Sequence, residues 1–242
     1  MHRPCIAITL GLALSACTAD NGGEAIYLSK NVAPGMGCTF SASAAEQFTA
    51  HGTYSMFATR GYRMYPQLVS QLTAADGQTQ ARTIQVRGAR VDLTFADSSL
   101  GGFPSELTKF QSLFSAPLPP NGGIADGAFE LIPAELARMV AAAKGVTMTT
   151  TEHVKTELIA KVVVFGDLAG DEVVSQEFQF PVTLCNDCVT TSLGACPIDT
   201  AVTPIVNVTP NVCNPFQDGV VDCCVQNNEL VCPAVAKPEP NP

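Results

Sequence analysis

The sequence predicts a mainly β protein, an antiparallel β-sandwich for which an immunoglobulin-like plan is one form, with one short helix and a disulfide-rich C-terminal tail. Three observations lead there. The 242 residues include 19 Gly, 17 Pro, 12 Phe and no Trp, a balance that favours strands and turns. Apolar residues recur with a period of two through the centre of the chain. Seven cysteines then crowd into residues 185–232. The chain divides accordingly into a sandwich over 25–184, a Cys-rich disulfide module over 185–232, and a Pro-rich end over 233–242. That end has too few apolar residues to pack and is expected to be disordered.

Taken in order, Ile26, Leu28 and Val32 alternate with polar residues as a half-buried strand does, and Pro34-Gly35-Met36-Gly37 turns the chain into Cys38. Tyr54, Met56 and Ala58 repeat the period. Between 82 and 95, Ile84 and Val86 occupy even positions, whereas Ala89, Val91, Leu93 and Phe95 occupy odd ones. The phase slips at Gly88, which predicts a β-bulge: one extra residue returns later side chains to the same face. Leu107, Phe110, Leu113 and Phe114 stand near helical spacing, but the prolines at 117, 119 and 120 and the turn Asn121-Gly122-Gly123 favour a strand over Lys109–Leu118.

A helix is expected over 133–144. Pro133 suits its first turn, Glu135 its positive end and Gly145 its cap, with Leu136, Met139, Val140 and Ala143 as the buried stripe. Two strands follow, over 146–165 and 173–184. Val154, Leu158, Ala160, Val162, Val164, Phe178, Phe180, Val182 and Leu184 face inward, and Lys155, Glu157, Lys161, Glu177 and Gln179 outward. The segment Gly166-Asp167-Leu168-Ala169-Gly170-Asp171 reads as their hairpin loop. Several short strands with a single helix favour a sandwich over an α/β fold.

The amino terminus carries Arg3 and then ten uncharged residues, Cys5 to Leu14. That run is too short to cross roughly 30 Å of hydrocarbon as a helix, and it is laid out as a signal peptide over 1–16. Leu14-Ser15-Ala16-Cys17 resembles the lipobox of bacterial lipoproteins. The resemblance implies diacylglycerol on the Cys17 thiol, cleavage before it, and a polar tether over 17–24. Thr18 stands where an Asp would imply inner-membrane retention, so the resemblance points to the outer membrane. Two or three acyl chains, at about 0.8 kcal/mol per buried methylene, amount to a permanent anchor. The plan of a β-rich body with a Cys-dense tail is similar to that of Cys-rich envelope lipoproteins of Gram-negative bacteria, which assigns no activity.

Loss of Arg3 with the signal peptide leaves 12 Lys plus Arg against 22 Asp plus Glu, a net charge of −10. Such a surface repels phosphate, so nucleic acid and anionic headgroups are poor partners for it, and no nucleic-acid partner is expected.

From Cys185 the spacing is C-x2-C-x7-C-x16-C-x9-C-C-x7-C. With Cys38, the residues Cys185, Cys188, Cys196, Cys213, Cys223, Cys224 and Cys232 make eight thiols, hence four disulfides in an oxidising compartment. Because seven is odd, Cys38 must bond into the tail. Neighbouring Cys223 and Cys224 are expected to take different partners, since a bond between adjacent residues is strained. The C-x2-C pair matches zinc spacing, but no second pair stands at similar spacing to complete a tetrahedral site. Thr190, Thr191 and Gly194 follow it where a thioredoxin-like redox motif opens a helix. The expected role is structural, with no metal and no cofactor.

No serine-hydrolase elbow, zinc-peptidase helix, phosphate loop or EF-hand loop is present in the sequence. His51 and His153 are the histidines left after processing; His153 falls on the polar side of its strand and reads as solvated. Asp167, Asp171 and Glu172, and Asp218 and Asp222, offer oxygen ligands for calcium, but turn chemistry explains them as well. Asn207-Val208-Thr209 matches a glycosylation sequon, read as coincidental in a bacterial protein.

The expected function is therefore that of a lipid-anchored, non-catalytic structural or protein-binding module of the cell envelope, its partner another envelope or extracellular protein. Such a module implies an exposed apolar patch and no deep polar pocket. A carrier of a small apolar ligand is the alternative and requires an enclosed cavity of several hundred Å³; a hydrolase ranks third and requires a histidine, a carboxylate and a nucleophile in one cleft.

Overall fold

The structure, a computed structural model, describes residues 25–35, 37–40, 48–74, 77, 79, 82–148, 150, 152–205 and 209–237. The signal peptide, the lipobox with Cys17, the tether, Met36, two sequon residues (Asn207 and Val208) and residues 238–242 lie outside these. In chain order the elements are β1 (Ile26–Asn31), β2 (Gly52–Ser55), β3 (Tyr62–Met64), β4 (Pro66–Ser70), β5 (Ile84–Phe95), α1 (Ser105–Thr108), β6 (Lys109–Leu118), β7 (Ile124–Asp126) and β8 (Phe129–Ile132). There follow α2 (Ala134–Ala143), β9 (Lys155–Leu168), β10 (Asp171–Val174), β11 (Phe178–Cys185), β12 (Thr190–Ala195), β13 (Val221–Gln226) and β14 (Glu229–Val231). The protein is mainly β. Among the described residues no helix is long and apolar enough to cross a membrane.

The largest sheet runs β2-β11-β9-β5-β6, with β10 beside β9. Its inward side chains are those that the period of two assigns: Leu158, Ala160, Val162 and Val164 of β9 are fully buried, as are Val182 and Leu184 of β11. The sheet β1-β4-β7, the ribbon β3-β8 and α2 contribute Ile26, Leu68, Met64, Leu131 and Leu136 to the same buried cluster, so one core lies between layers in a sandwich-like arrangement. The third sheet, β12-β13-β14, belongs to the cysteine-rich segment.

At Gly88 the pairing of β5 shifts register against both β6 and β9, which is the expected bulge. A side chain there has no room, since an added Cβ would lie 2.7 Å from the Ser112 carbonyl oxygen and 3.0 Å from the Phe165 ring. The ring covers the bare backbone, and the Arg90 guanidinium lies 5.0 Å from the ring centroid while pairing with Glu172 at 2.7 Å.

Several expectations are corrected. A second helix, α1, occupies four residues before β6. In α2 the buried face is Leu136, Ala137, Val140 and Ala141, not the stripe through Met139 and Ala143, because the helix rests on the core along its i, i+1, i+4, i+5 positions. The described residues between 146 and 154 are not strand, and β9 begins at Lys155; Val146 folds back on α2, its N–H donating to the Ala141 carbonyl. The hairpin turn is tighter than the expected six-residue loop. Leu168 pairs with Asp171 across Ala169 and Gly170, both at positive φ, as a two-residue turn with the right-handed twist of its strands demands. The strand after it is broken at Ser175, whose backbone and hydroxyl both bond to Val164, before β11 resumes the pairing. Two pairings, β2 with β11 and β12 with β13, are parallel; their partners lie far apart in sequence and no hairpin dictates their sense. Within the Pro-rich end, Ala234 and Lys237 donate backbone hydrogen bonds to the Asp222 and Ile198 carbonyls.

Candidate functional site at the turn between β2 and β3

Four disulfides join Cys38 to Cys213, Cys185 to Cys188, Cys196 to Cys224 and Cys223 to Cys232. Cys38 bonds into the tail and the neighbours Cys223 and Cys224 take separate partners, as expected. The first bridge brings residues 211–218 against β2 and β3.

That segment is shaped by its own polar side chains. The Asn211 carboxamide oxygen accepts from the N–H groups of Cys213 and Asn214, and that of Asn214 accepts from Phe216 N–H, turns that Asn forms readily. Asp218 then adopts a left-handed φ of 52°. Backbone hydrogen bonds tie Ser55 to Phe216 and Asp218 to Thr53.

The same segment, together with β2, clamps the turn leading into β3. Tyr54 donates its hydroxyl to the Arg60 carbonyl at 2.7 Å, and the Asn214 amide donates to the Gly61 carbonyl at 2.9 Å. Arg63 N–H donates to the Gln217 side-chain oxygen at 2.8 Å, and the Gln217 amide donates back to the Arg63 carbonyl at 2.9 Å. Tyr54, Asn214 and Gln217 are each 2 % exposed or less. Inside a core such polar groups are costly unless paired, so this satisfied network holds one conformation of residues 60–63.

Beneath it, the Asp218 carboxylate accepts from Thr53 N–H at 2.8 Å, the Tyr62 hydroxyl at 2.7 Å and the Gln217 amide at 3.2 Å. Burial pushes its carboxyl above the usual range, and these donors pull it part of the way back. Burial, with Asp218 beside it, drives the Tyr62 hydroxyl well above its ordinary value. Gly52 makes room for that ring, since a Cβ there would lie 2.5 Å from the Tyr62 hydroxyl oxygen.

The clamped turn opens onto two adjoining clefts that share Thr59 and Arg60. One, of about 530 Å³, is lined by Arg60, Gly61, Arg63, Glu130 and Asn214. The other, of about 600 Å³, is lined by Pro210, Val212, Pro215, Leu230, Val231 and Pro233, with the buried Phe216 and Val221 behind them and Glu229 also in its lining. Both are open to solvent. The side chains of Arg60 and Arg63 are exposed, and neither enters an ion pair among the described residues. Arg63 stands opposite Glu130 across the β3-β8 ribbon, and partial burial raises the Glu130 carboxyl against the lowering influence of Arg63.

The other sequence-predicted groups are dispersed. His153 contacts Asp187 through Nδ1, and His51 Nε2 lies 3.0 Å from the Thr183 hydroxyl. Asp167 pairs with Arg87 and accepts from Gly170 N–H in the hairpin turn, and Glu172 is held by Arg90. Among the described residues no three His, Cys, Asp or Glu side chains gather as a metal site. Arg60, Arg63, Glu130, Asn214 and Gln217 were not singled out from the sequence. The one available signal was a pair of arginines three residues apart in an acidic chain. No family model matches this chain, and no curated protein matches it in sequence.

Proposed function

We propose that this protein is a lipid-anchored module of the bacterial cell envelope, held in the outer membrane through Cys17, that binds another envelope or extracellular protein without catalysing a reaction. The observation that carries the reading is the turn at residues 60–63. Three buried polar side chains fix its backbone, yet the Arg60 it presents enters no ion pair among the described residues, while Arg63 faces Glu130 across the ribbon. Rigid presentation of exposed arginine beside an apolar wall is how binding surfaces lower the entropy of association. The four disulfides fit an exported chain, and the lipobox resemblance supplies the anchor. The clefts are open to solvent, which favours a surface partner over an enclosed apolar ligand.

The test has two arms. Intact mass of the membrane-extracted protein is expected to match residues 17–242 plus acyl groups, and Cys17→Ser is expected to release the protein from the membrane fraction. A photo-crosslinking residue in place of Val212, which lies at the cleft and is 52 % exposed, is expected to yield one discrete adduct in intact cells. An unacylated mass removes the anchor, and absence of any adduct removes the docking role.

A further inference from the structure

We infer that the paired clefts take an extended peptide segment whose carboxylate is gripped by Arg60 and whose apolar side chains lie against Leu230, Val231 and Pro233. The inference rests on the reading of this face as a protein-docking site and specifies the chemistry of what docks.

Charge complementarity selects the carboxylate. The protein carries a net charge of −9, and the described ion pairs of Arg87, Arg90, Lys109, Lys144 and Lys161 are satisfied internally. Arg60 has its backbone carbonyl fixed by Tyr54 but its guanidinium uncommitted, at the point where the two clefts meet. A guanidinium presents a planar fork that matches a carboxylate in bidentate fashion. Glu130, on the far side of Gly61, limits how much negative charge the first cleft accepts. Its carboxylate sits so close that a Cβ on Gly61 would lie 2.2 Å from its oxygen. A single carboxylate fits beside it, whereas a phosphate chain or a polyanion meets both Glu130 and the overall negative field. The adjoining cleft is the more apolar of the two, though Glu229 also lines it and leaves room for one carboxylate at Arg60 and not for several; its walls are fixed by the Cys223–Cys232 disulfide and the β13-β14 pairing. Arginine next to a rigid apolar wall suits an extended segment with one acidic and one or two apolar side chains.

A random heptapeptide phage library selected on the disulfide-intact protein tests this. The expected result is enrichment of sequences with an acid at a fixed spacing from an apolar residue. Synthetic forms of the selected peptide with the acid changed to its amide are expected to bind at least tenfold more weakly. Comparing the free C-terminal acid with the C-terminal amide decides whether the gripped carboxylate is a side chain or a chain end. Arg60→Gln is expected to abolish the preference for acid over amide, whereas Arg60→Lys retains part of it. Because Arg60 is exposed, both variants keep the fold, which circular dichroism verifies. Selection of no peptide, or acid and amide forms binding alike, overturns the inference. If the Val212 adduct still forms in cells under either outcome, the docking reading stands and the carboxylate chemistry alone falls; if the adduct is also absent, both fall.

Discussion

Removing the Cys38–Cys213 bridge is expected to cost more stability than removing any other disulfide, because it closes the longest loop. Its cysteines are 175 residues apart in sequence, against 3 for Cys185–Cys188, 28 for Cys196–Cys224 and 9 for Cys223–Cys232. A cross-link restricts the unfolded chain by an entropy that grows with the logarithm of loop length. That gives about 5 kcal/mol for the first bridge and about 2 kcal/mol for the second at room temperature. For a chain of this size each kcal/mol moves the melting temperature by about 2–4 °C, so Cys38→Ala/Cys213→Ala is expected to melt roughly 10–20 °C lower and Cys185→Ala/Cys188→Ala roughly 4–8 °C lower. With no Trp in the chain, far-ultraviolet circular dichroism during urea and thermal unfolding is the suitable readout. Hydrogen exchange adds a local measure. The amide of Arg63, which donates to Gln217, is expected to lose protection in the first variant and keep it in the second. Equal losses, or a greater loss from the Cys185–Cys188 pair, refute the loop-closure reasoning and place the energy of these bridges in native contacts instead.

Two further outcomes follow from the packing and the charges. Gly88→Ala is expected to cost about 1–3 kcal/mol by overpacking the bulge, because the added methyl meets the Ser112 carbonyl and the Phe165 ring; urea unfolding measures it, and an unchanged midpoint contradicts the crowding. Asp218 gives a pH effect of definite sign. Burial raises its carboxyl in the folded state, so its contribution favours folding fully below the unfolded value near pH 4 and is lost as pH rises through the raised folded value. Asp97 acts in the opposite sense. Its hydrogen bond from Lys144 lowers it, so its contribution is lost on acidification, but it is common to wild type and variant and cancels in their difference. Relative to Asp218→Asn, wild type is therefore expected to lose urea stability as pH is raised from about 4 toward neutrality, and a flat or rising difference contradicts the buried-carboxylate account.

Where secondary structure is set by local pattern, the sequence was enough. The alternation from Lys155 to Leu184, the phase slip at Gly88 and the strand after Thr108 are each readable because a strand sends successive side chains to opposite faces. The odd number of tail cysteines likewise required a partner outside the tail, which Cys38 supplies. The face that α2 buries was misread in part. A run of Ala and Met leaves the apolar stripe ambiguous, and the layer above decides which residues meet it. The parallel pairing of β2 with β11 was not legible at all, since two short strands separated by more than a hundred residues carry no mark of relative direction.

The candidate site was less legible still. Its backbone is held by hydrogen bonds between residues some 150 positions apart, such as Asn214 to Gly61 and the reciprocal pair of Gln217 with Arg63, and a lone Asn or Gln in a polar-looking segment leaves no periodic trace. Apolar burial repeats along a chain and so announces itself in sequence. A satisfied polar network is made once, from whichever donors and acceptors the fold brings together. For this protein the sequence by itself determined the β-rich core and the need for a long-range disulfide, and only the tertiary structure placed Arg60, free of any ion pair among the described residues, on a fixed turn beside a largely apolar cleft.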